Sequence, residues 1–165
     1  MGSTCGECGK VLQRAVTGRP KRFCGQTCRK RASRRPKFPT VMTEQCRWVR
    51  ADGKRPIQVD GSPASSTDPN TWVSFLDVQR GAGDGFGIML GDGLGCYDFD
   101  HLSDGFVRAY ASSIPERVVF AERSVSGEGV HVFIEAPEVK GWRRRGVERY
   151  TRARFIRMTG VEFDL

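Results

Sequence analysis

Four of the six cysteines stand in two close pairs that could hold a metal ion. Two residues separate Cys5 from Cys8, and after a loop of fifteen residues three separate Cys24 from Cys28. This spacing is typical of a tetrahedral four-cysteine zinc site, in which each pair forms one knuckle on the ion. The alternatives are disulfides, which a reducing cytosol disfavours, and unliganded thiols. We expect one structural zinc ion at these four residues.

The other two cysteines, Cys46 and Cys96, have no paired neighbour. We therefore expect both to be small, buried apolar side chains. The loop between the two cysteine pairs is too polar to form a core of its own. A bound metal would have to supply the folding free energy of that segment.

A pair of carboxylates at the end of an apolar strand is the second chemical pattern. Residues 94–100 read Leu-Gly-Cys-Tyr-Asp-Phe-Asp, so strand alternation places Asp98 and Asp100 on one face. Two like charges held this close repel each other unless a cation lies between them. The pattern predicts a divalent metal site, although Asp100 could instead cap the following helix.

A glycine-bearing turn followed by a histidine is the third pattern. Residues 124–131 read Ser-Val-Ser-Gly-Glu-Gly-Val-His. Glycine turns let the backbone approach a phosphate closely, and an imidazole can donate a hydrogen bond to a phosphate oxygen. The turn and His131 are therefore a candidate phosphate site. A hydrogen-bonded surface imidazole is the alternative.

Glu148 stands in an arginine-rich segment. It is either an ion-paired surface residue or the third carboxylate of a metal site. In the second case some of the neighbouring arginines would hold a triphosphate. These arginines are Arg143, Arg144, Arg145, Arg149, Arg152, Arg154 and Arg157.

An α+β domain would position these residues. Asp68 as N-cap and Pro69 at the first helical position predict a helix over 69–80, and a second helix is expected over 103–112. Two strands over 86–90 and 94–99 are predicted to form a hairpin. Further strands are expected over 117–122, 130–135, 147–150 and 153–159. This order indicates a mainly antiparallel sheet with flanking helices.

The net charge of +8 is concentrated in the first quarter of the chain. Residues 1–40 hold 11 Lys and Arg against one acid, whereas residues 41–165 hold 16 against 18. This density indicates a polyanionic partner such as nucleic acid, with a solubilising tail as the alternative. We interpret residues 1–30 as a zinc module, 31–40 as a basic linker and 41–165 as a globular domain.

The apolar runs are short. None approaches the roughly 20 residues that a transmembrane helix requires. The first 30 residues also lack the apolar region of a secretory signal. We expect a cytoplasmic protein with no membrane partner.

The carboxylate pair, the glycine turn with His131 and the segment around Glu148 together resemble the catalytic core of the archaeo-eukaryotic primase family, particularly the primase-polymerase domains of phages and plasmids. The resemblance covers roughly residues 41–160. Residues 97–101 match the family's hydrophobic-Asp-hydrophobic-Asp motif, and residues 126–131 match its Ser-Gly-x-Gly-x-His motif. Residues 147–150, leading into Arg154-Phe155 and Thr159-Gly160, match its third, acidic motif.

The resemblance implies a fold and a set of roles. The fold would be an α+β domain whose sheet is related to an RNA-recognition sheet. Asp98, Asp100 and Glu148 would bind two magnesium or manganese ions. Ser126, Gly127 and His131 would contact the phosphates of the incoming nucleotide, with Arg154 as a weaker candidate.

The implied activity is template-directed nucleotidyl transfer, as by a DNA primase or polymerase in phage, plasmid or bacterial replication. Its partners would be a single-stranded DNA template or primer-template, NTP or dNTP, and a separately encoded replicative helicase. Two other functions remain open. One is a non-catalytic, zinc-containing nucleic-acid-binding protein on a degenerate scaffold, and the other is a two-metal nuclease.

Overall fold

The computed structural model describes residues 3–12, 20–33 and 38–165. Contacts between residues divide the chain into two compact units, Met1–Lys37 and Phe38–Leu165. The loop predicted between the cysteine pairs includes residues 13–19, and the predicted basic linker includes residues 34–37. Both of these stretches lie outside the described residues.

The first unit has very little apolar interior. In its described part, a helix, α1 (Gln26–Ser33), lies next to a small buried cluster of Cys5, Leu12 and Cys28, with Phe23 packed against it. A cluster of this size cannot offset the conformational entropy lost when the segment is ordered. The unit therefore needs another source of folding free energy.

The second unit is built on two antiparallel sheets, which confirms an α+β architecture of antiparallel strands. The four-stranded sheet has the spatial order β2 (Arg55–Ile57), β1 (Trp48–Asp52), β3 (Gly85–Met89) and β9 (Phe155–Met158). The five-stranded sheet has the order β5 (Arg117–Arg123), β6 (Gly129–Glu135), β4 (Leu94–Asp100), β8 (Val147–Tyr150) and β7 (Trp142–Arg144).

Helices are few in this unit. They are α2 (Thr40–Thr43), α3 (Phe75–Val78) and α4 (Asp104–Ala111). The helix predicted over 103–112 is confirmed as α4, and the Ser103 hydroxyl caps it by accepting the amide of Phe106 at 3.3 Å. No helix in the described part of the chain is long and apolar enough to cross a membrane.

The four strands predicted in the second half of the chain are confirmed as β5, β6, β8 and β9. The sequence pattern does not predict β1, β2 or β7. Each of these strands is short and contains at least one arginine, so the alternation that marks a strand is weak. Backbone pairing with neighbouring strands stabilises them instead.

The predicted hairpin over residues 86–99 is wrong. β3 pairs with β1 and β9, whereas β4 pairs with β6 and β8, so the chain crosses from one sheet to the other. The crossing is made at Gly91, Asp92 and Gly93, which have φ angles of 140°, 46° and 89°. Both strands are buried in the centre of a sheet, and a two-stranded ribbon would not cover them.

The continuous helix predicted over 69–80 is also wrong, although its cap is correct. Asp68 accepts a backbone amide at 3.0 Å and starts a 3-10 turn, Pro69–Thr71, which does not continue. Val73 then pairs with Trp48 through backbone hydrogen bonds of 3.0 and 2.8 Å. This long-range pairing holds the chain extended until α3 begins, and it overrides the local helical spacing.

The five-stranded sheet is buried on both faces. One face contributes Leu94, Cys96, Phe120 and Phe133 to a core shared with the four-stranded sheet. The opposite face packs against α4 and forms a second core. The main members of the second core are Tyr97, Phe99, Val107, Val130, Val132, Ile134 and Val147.

β4 changes character along the face that meets the four-stranded sheet. Leu94 and Cys96 are buried in the core between the sheets, and Asp98 and Asp100 continue the same face. The apolar packing between the sheets therefore ends where the carboxylates begin.

The two unpaired cysteines differ from each other. Cys96 is buried, which confirms the prediction, and burial raises the pKa of its thiol. Cys46 is exposed, so the prediction that it is buried is wrong. It lies in a bend between α2 and β1, where the chain runs along the surface.

Phe38 starts the second unit and packs among other aromatic rings. Its ring centroid lies 5.3 Å from that of Trp48, 5.5 Å from that of Phe75 and 5.3 Å from that of Phe120. Phe38→Ala should lower the free energy of unfolding by about 3–5 kcal/mol, because it leaves a cavity among these rings. Urea-induced unfolding measures the change.

The matched control for this prediction is Leu76→Ala. Leu76 is 77% exposed, so its truncation should change the free energy of unfolding by less than about 0.5 kcal/mol. If the two variants are equally stable, Phe38 does not belong to the core.

Candidate functional site

The predicted site residues of the five-stranded sheet lie in one row across its strands. In the register of the sheet, Asp98 of β4 is the direct partner of His131 on β6 and of Glu148 on β8. The row continues to Glu122 on β5 and to Arg143 on β7. Direct cross-strand partners share a face, so these five polar side chains project from the same side of the sheet.

A cavity of about 790 Å³ opens beyond the core, between the two sheets. The five-stranded sheet and its loops contribute Asp98, Asp100, Ser126 and His131 to its lining. Arg154 also lines it, directly before β9. Besides the four cysteines, seven residues are predicted to bind metal or phosphate, and five of these seven line one cavity. Of the predicted residues, all within the described part of the chain, Gly127 and Glu148 do not line it.

Asp98 is the electrostatic centre of this arrangement. Burial raises the pKa of its carboxyl, and the charges of Asp100 and Glu148 raise it further, against the opposing effects of His131 and Arg154. Its Oδ1 lies 3.7 Å from Nε2 of His131, which is beyond hydrogen-bond length. A cation in the cavity would relieve the cost of ionising this side chain.

Glu148 is committed to other partners. Its Oε1 is 2.6 Å from Nε of Arg143, and its Oε2 accepts the hydroxyl of Tyr150 at 2.5 Å. Arg154 lies 3.8 Å from the same Oε2. Glu148 is therefore a buried, ion-paired carboxylate, in the row with Asp98 but turned toward β7 and Arg154.

The carboxylates do not form a closed metal cluster. In the described ranges, only the four cysteines bring three or more candidate ligand atoms within 4.8 Å of one another. Asp98 and Asp100 share the cavity, but Glu148 does not join them at that separation. The strand register places Asp98, Asp100 and Glu148 on one face of the sheet, but their carboxylate oxygens do not meet at one point.

The glycine turn is held by its own hydrogen bonds. The amides of Gly127 and Gly129 donate to the carbonyl and the hydroxyl of Ser124, at 3.0 and 3.1 Å, and Gly127 has a φ of 78°. The amides of Val125 and Ser126 make no hydrogen bond among the described residues, and both residues line the cavity. Gly127 therefore shapes the turn, and the two preceding amides are the ones that could meet an anion.

Further basic groups line the four-stranded side of the cavity. Lys54 comes from the turn between β1 and β2, and Arg157 from β9. Arg157 is paired with Asp84 at 2.8 Å. The guanidinium of Arg154 lies 4.5 Å from the ring centroid of Tyr150.

The sequence does not single out Lys54 or Asp84, because nothing local distinguishes them from other surface charges.

Glu122 is a residue of this site that the sequence analysis misses. Its side chain is fully buried, and its Oε1 lies 3.1 Å from Nδ1 of His131. The available signal was a glutamate directly after the apolar residues 118–121 of a strand, on the same face as the buried Phe120. His131 itself is buried, so it is not a surface imidazole.

The four cysteines of the first unit form a cluster that fits a metal ion. All four sulfurs lie within 4.8 Å of one another, with Cys8 and Cys24 3.6 Å apart and Cys24 and Cys28 3.4 Å apart. Tetrahedral zinc with its usual bond length to sulfur would hold sulfurs about 3.8 Å apart. The cluster can therefore bind one ion such as zinc.

The thiols of the cluster influence one another. Burial raises the pKa of Cys5, but backbone amides, including that of Cys24 at 3.3 Å from its sulfur, lower it to about 6. The hydrogen bond with Cys24 raises the pKa of Cys28 to about 12. The thiolate form of Cys5 is thus favoured, whereas the thiolate form of Cys28 is disfavoured. A bound cation would stabilise both thiolates, because metal binding requires deprotonated sulfur.

Comparison with known proteins gives no further assignment. The sequence matches no family model and shows no significant similarity to a curated protein. The site must be interpreted from its own geometry.

Metal analysis provides the test of the cysteine cluster. The purified protein should contain one zinc per chain, held by Cys5, Cys8, Cys24 and Cys28. A chelator should unfold the first unit and leave Phe38–Leu165 folded, because only the first unit lacks an apolar core. NMR spectra recorded with and without chelator report on each unit separately. A first unit that keeps its dispersed signals without metal would contradict the prediction.

Proposed function

We propose that this protein catalyses template-directed nucleotidyl transfer, as primase-polymerases do. The observation that carries the proposal is the cavity, which brings together Asp98, Asp100, Ser126 and His131 from two separate sequence motifs. The motifs lie on adjacent antiparallel strands, with Asp98 directly between His131 and Glu148. A binding scaffold without catalysis has no need for this arrangement.

Asp98 and Asp100 would hold the divalent cations. They project from one face of β4 into the cavity, and their mutual repulsion favours a cation between them. When bound, two magnesium or manganese ions supply activation of a 3′-hydroxyl and stabilisation of the leaving pyrophosphate. Glu148 could serve as a third ligand only after releasing Arg143 and Tyr150.

The turn before β6 and His131 would hold the nucleotide. Ser126 and the free amides of the turn offer donors to phosphate oxygens, and His131 presents Nε2 to the same space. Arg154 and Lys54 add positive charge on the side of the four-stranded sheet. NTP or dNTP would be the substrate, on a single-stranded DNA template or a primer-template.

A non-catalytic nucleic-acid-binding protein is the second candidate function. The ion pairing of Glu148 and the absence of a closed carboxylate cluster among the described residues favour it. In that case the zinc module and the basic residues around it would bind nucleic acid, and the second unit would have no catalytic role. The two candidates differ in whether nucleotides are incorporated.

The double variant Asp98→Ala, Asp100→Ala tests catalysis. It should abolish incorporation of nucleotides that depends on magnesium or manganese, because the variant has neither carboxylate at the cavity. Stability at neutral pH without metal should stay equal or rise, since burial and Asp100 already raise the pKa of Asp98 and oppose its charged form. Primer extension and unprimed synthesis on single-stranded DNA measure the activity.

A matched control removes the same charge elsewhere. Asp52→Ala with Asp164→Ala changes two exposed carboxylates that do not line the cavity, and it should retain full activity. His131→Ala should instead mainly raise the KM for the nucleotide. Should wild-type protein incorporate no nucleotide, or the double Asp98, Asp100 variant still do so, the non-catalytic function replaces the proposal.

The basic first unit should contribute to nucleic-acid binding. Residues 1–37 hold 11 Lys and Arg against one acid, a net charge of +10. Their deletion should weaken binding to single-stranded DNA and flatten its salt dependence, by about 0.7 in slope for each phosphate that is no longer neutralised. Replacing the four cluster cysteines by serine keeps all 11 Lys and Arg residues, so it separates their effect from that of the metal. Unchanged binding after the deletion would make the segment a solubilising tail.

A further inference from the structure

Glu122 occupies an unusual place for a carboxylate. It is fully buried in β5, between the core and the cavity, and it is the direct cross-strand partner of His131. An acidic side chain in such a position is costly unless hydrogen bonds satisfy it. Its partners therefore indicate what it does.

Donors from the end of β9 satisfy most of this carboxylate. The amide of Gly160 donates to Oε2 at 2.7 Å, and the amide of Thr159 donates to Oε2 and Oε1 at 3.1 and 3.2 Å. The hydroxyl of Thr159 lies 3.4 Å from Oε2. Both oxygens are acceptors in this arrangement, and Oε1 faces the imidazole of His131.

The geometry assigns the proton of the imidazole. Because Oε1 of Glu122 can only accept, Nδ1 of His131, at 3.1 Å, must be the donor. In a neutral ring the other nitrogen, Nε2, is then without a proton. Nε2 lies 3.7 Å from Oδ1 of Asp98 and at the cavity, so it stays available to a ligand there.

We infer that Glu122 is a positioning residue for His131: it fixes the ring with its proton on Nδ1 and leaves Nε2 facing the cavity as a hydrogen-bond acceptor. This inference does not rest on the proposed function, because it follows from the buried hydrogen bonds alone. Thr159 and Gly160 act one step further away, by holding the carboxylate.

Glu122→Gln gives a sharp test because glutamine has one acceptor oxygen. That oxygen would be taken by the amides of Thr159 and Gly160, which leaves the NH₂ group facing Nδ1 of His131. Nδ1 must then accept, so the proton should move to Nε2. Nitrogen-15 NMR of the two ring nitrogens, in metal-free protein at a pH where the imidazole is neutral, distinguishes the tautomers.

The expected results are a proton on Nδ1 in the wild type and on Nε2 in Glu122→Gln. Glu135→Gln is the control, since Glu135 lies at the far end of β6 and pairs with Arg117 at 2.6 Å. It should leave the proton on Nδ1 of His131, as in the wild type.

The outcomes separate this inference from the proposed function. A proton on Nε2 in the wild type overturns the inference, whether or not the variant folds. An unchanged tautomer in a folded Glu122→Gln variant overturns it as well. If the tautomer switches but wild-type protein incorporates no nucleotide, Glu122 positions His131 and the proposed polymerase activity is wrong.

Discussion

The architecture depends on a change of polarity along a single strand face. β4 is covered on both sides and paired on both edges, so it cannot move without disturbing both cores. On the face toward the four-stranded sheet, Leu94 and Cys96 require close apolar contact, whereas Asp98 and Asp100 cannot tolerate it. The sheets must therefore meet at one end of β4 and part at the other. The cavity is the result of this constraint, and the site residues surround the place where the sheets separate.

Local patterns were sufficient to predict most of the five-stranded sheet and α4, because alternation and capping act within a few residues. The same patterns failed where a distant partner decides the structure, as at Val73, which pairs with Trp48 instead of continuing a helix. The site shows the same division. Asp98, Asp100 and His131 were predictable from their motifs, but the partnership of Glu122 with His131 depends on strand pairing and on the end of β9, which no local spacing reveals.

Glu148 shows how charge balance shapes the row across the sheet. A buried carboxylate without a partner would be costly, and Arg143 and Tyr150 satisfy it where no ion is bound. The arginines on either side of Glu148 thus have a structural role of their own. Since Arg154 lies within 3.8 Å of Glu148 and also lines the cavity, it connects this ion-paired group to the cavity.

The segment after β9 joins the two sheets mechanically. Leaving the four-stranded sheet, it runs beside β5 of the other, where Val161 accepts the amide of Arg123 at 2.8 Å and Phe163 donates to Ala121 at 2.9 Å. These hydrogen bonds, together with those from Thr159 and Gly160 to Glu122, connect the two sheets on one side of the cavity. Opening the cavity on that side would leave the buried carboxylate of Glu122 without its hydrogen-bond donors. The residues that follow β9 are therefore needed for the burial of Glu122 and for holding the two sheets together on this side of the cavity.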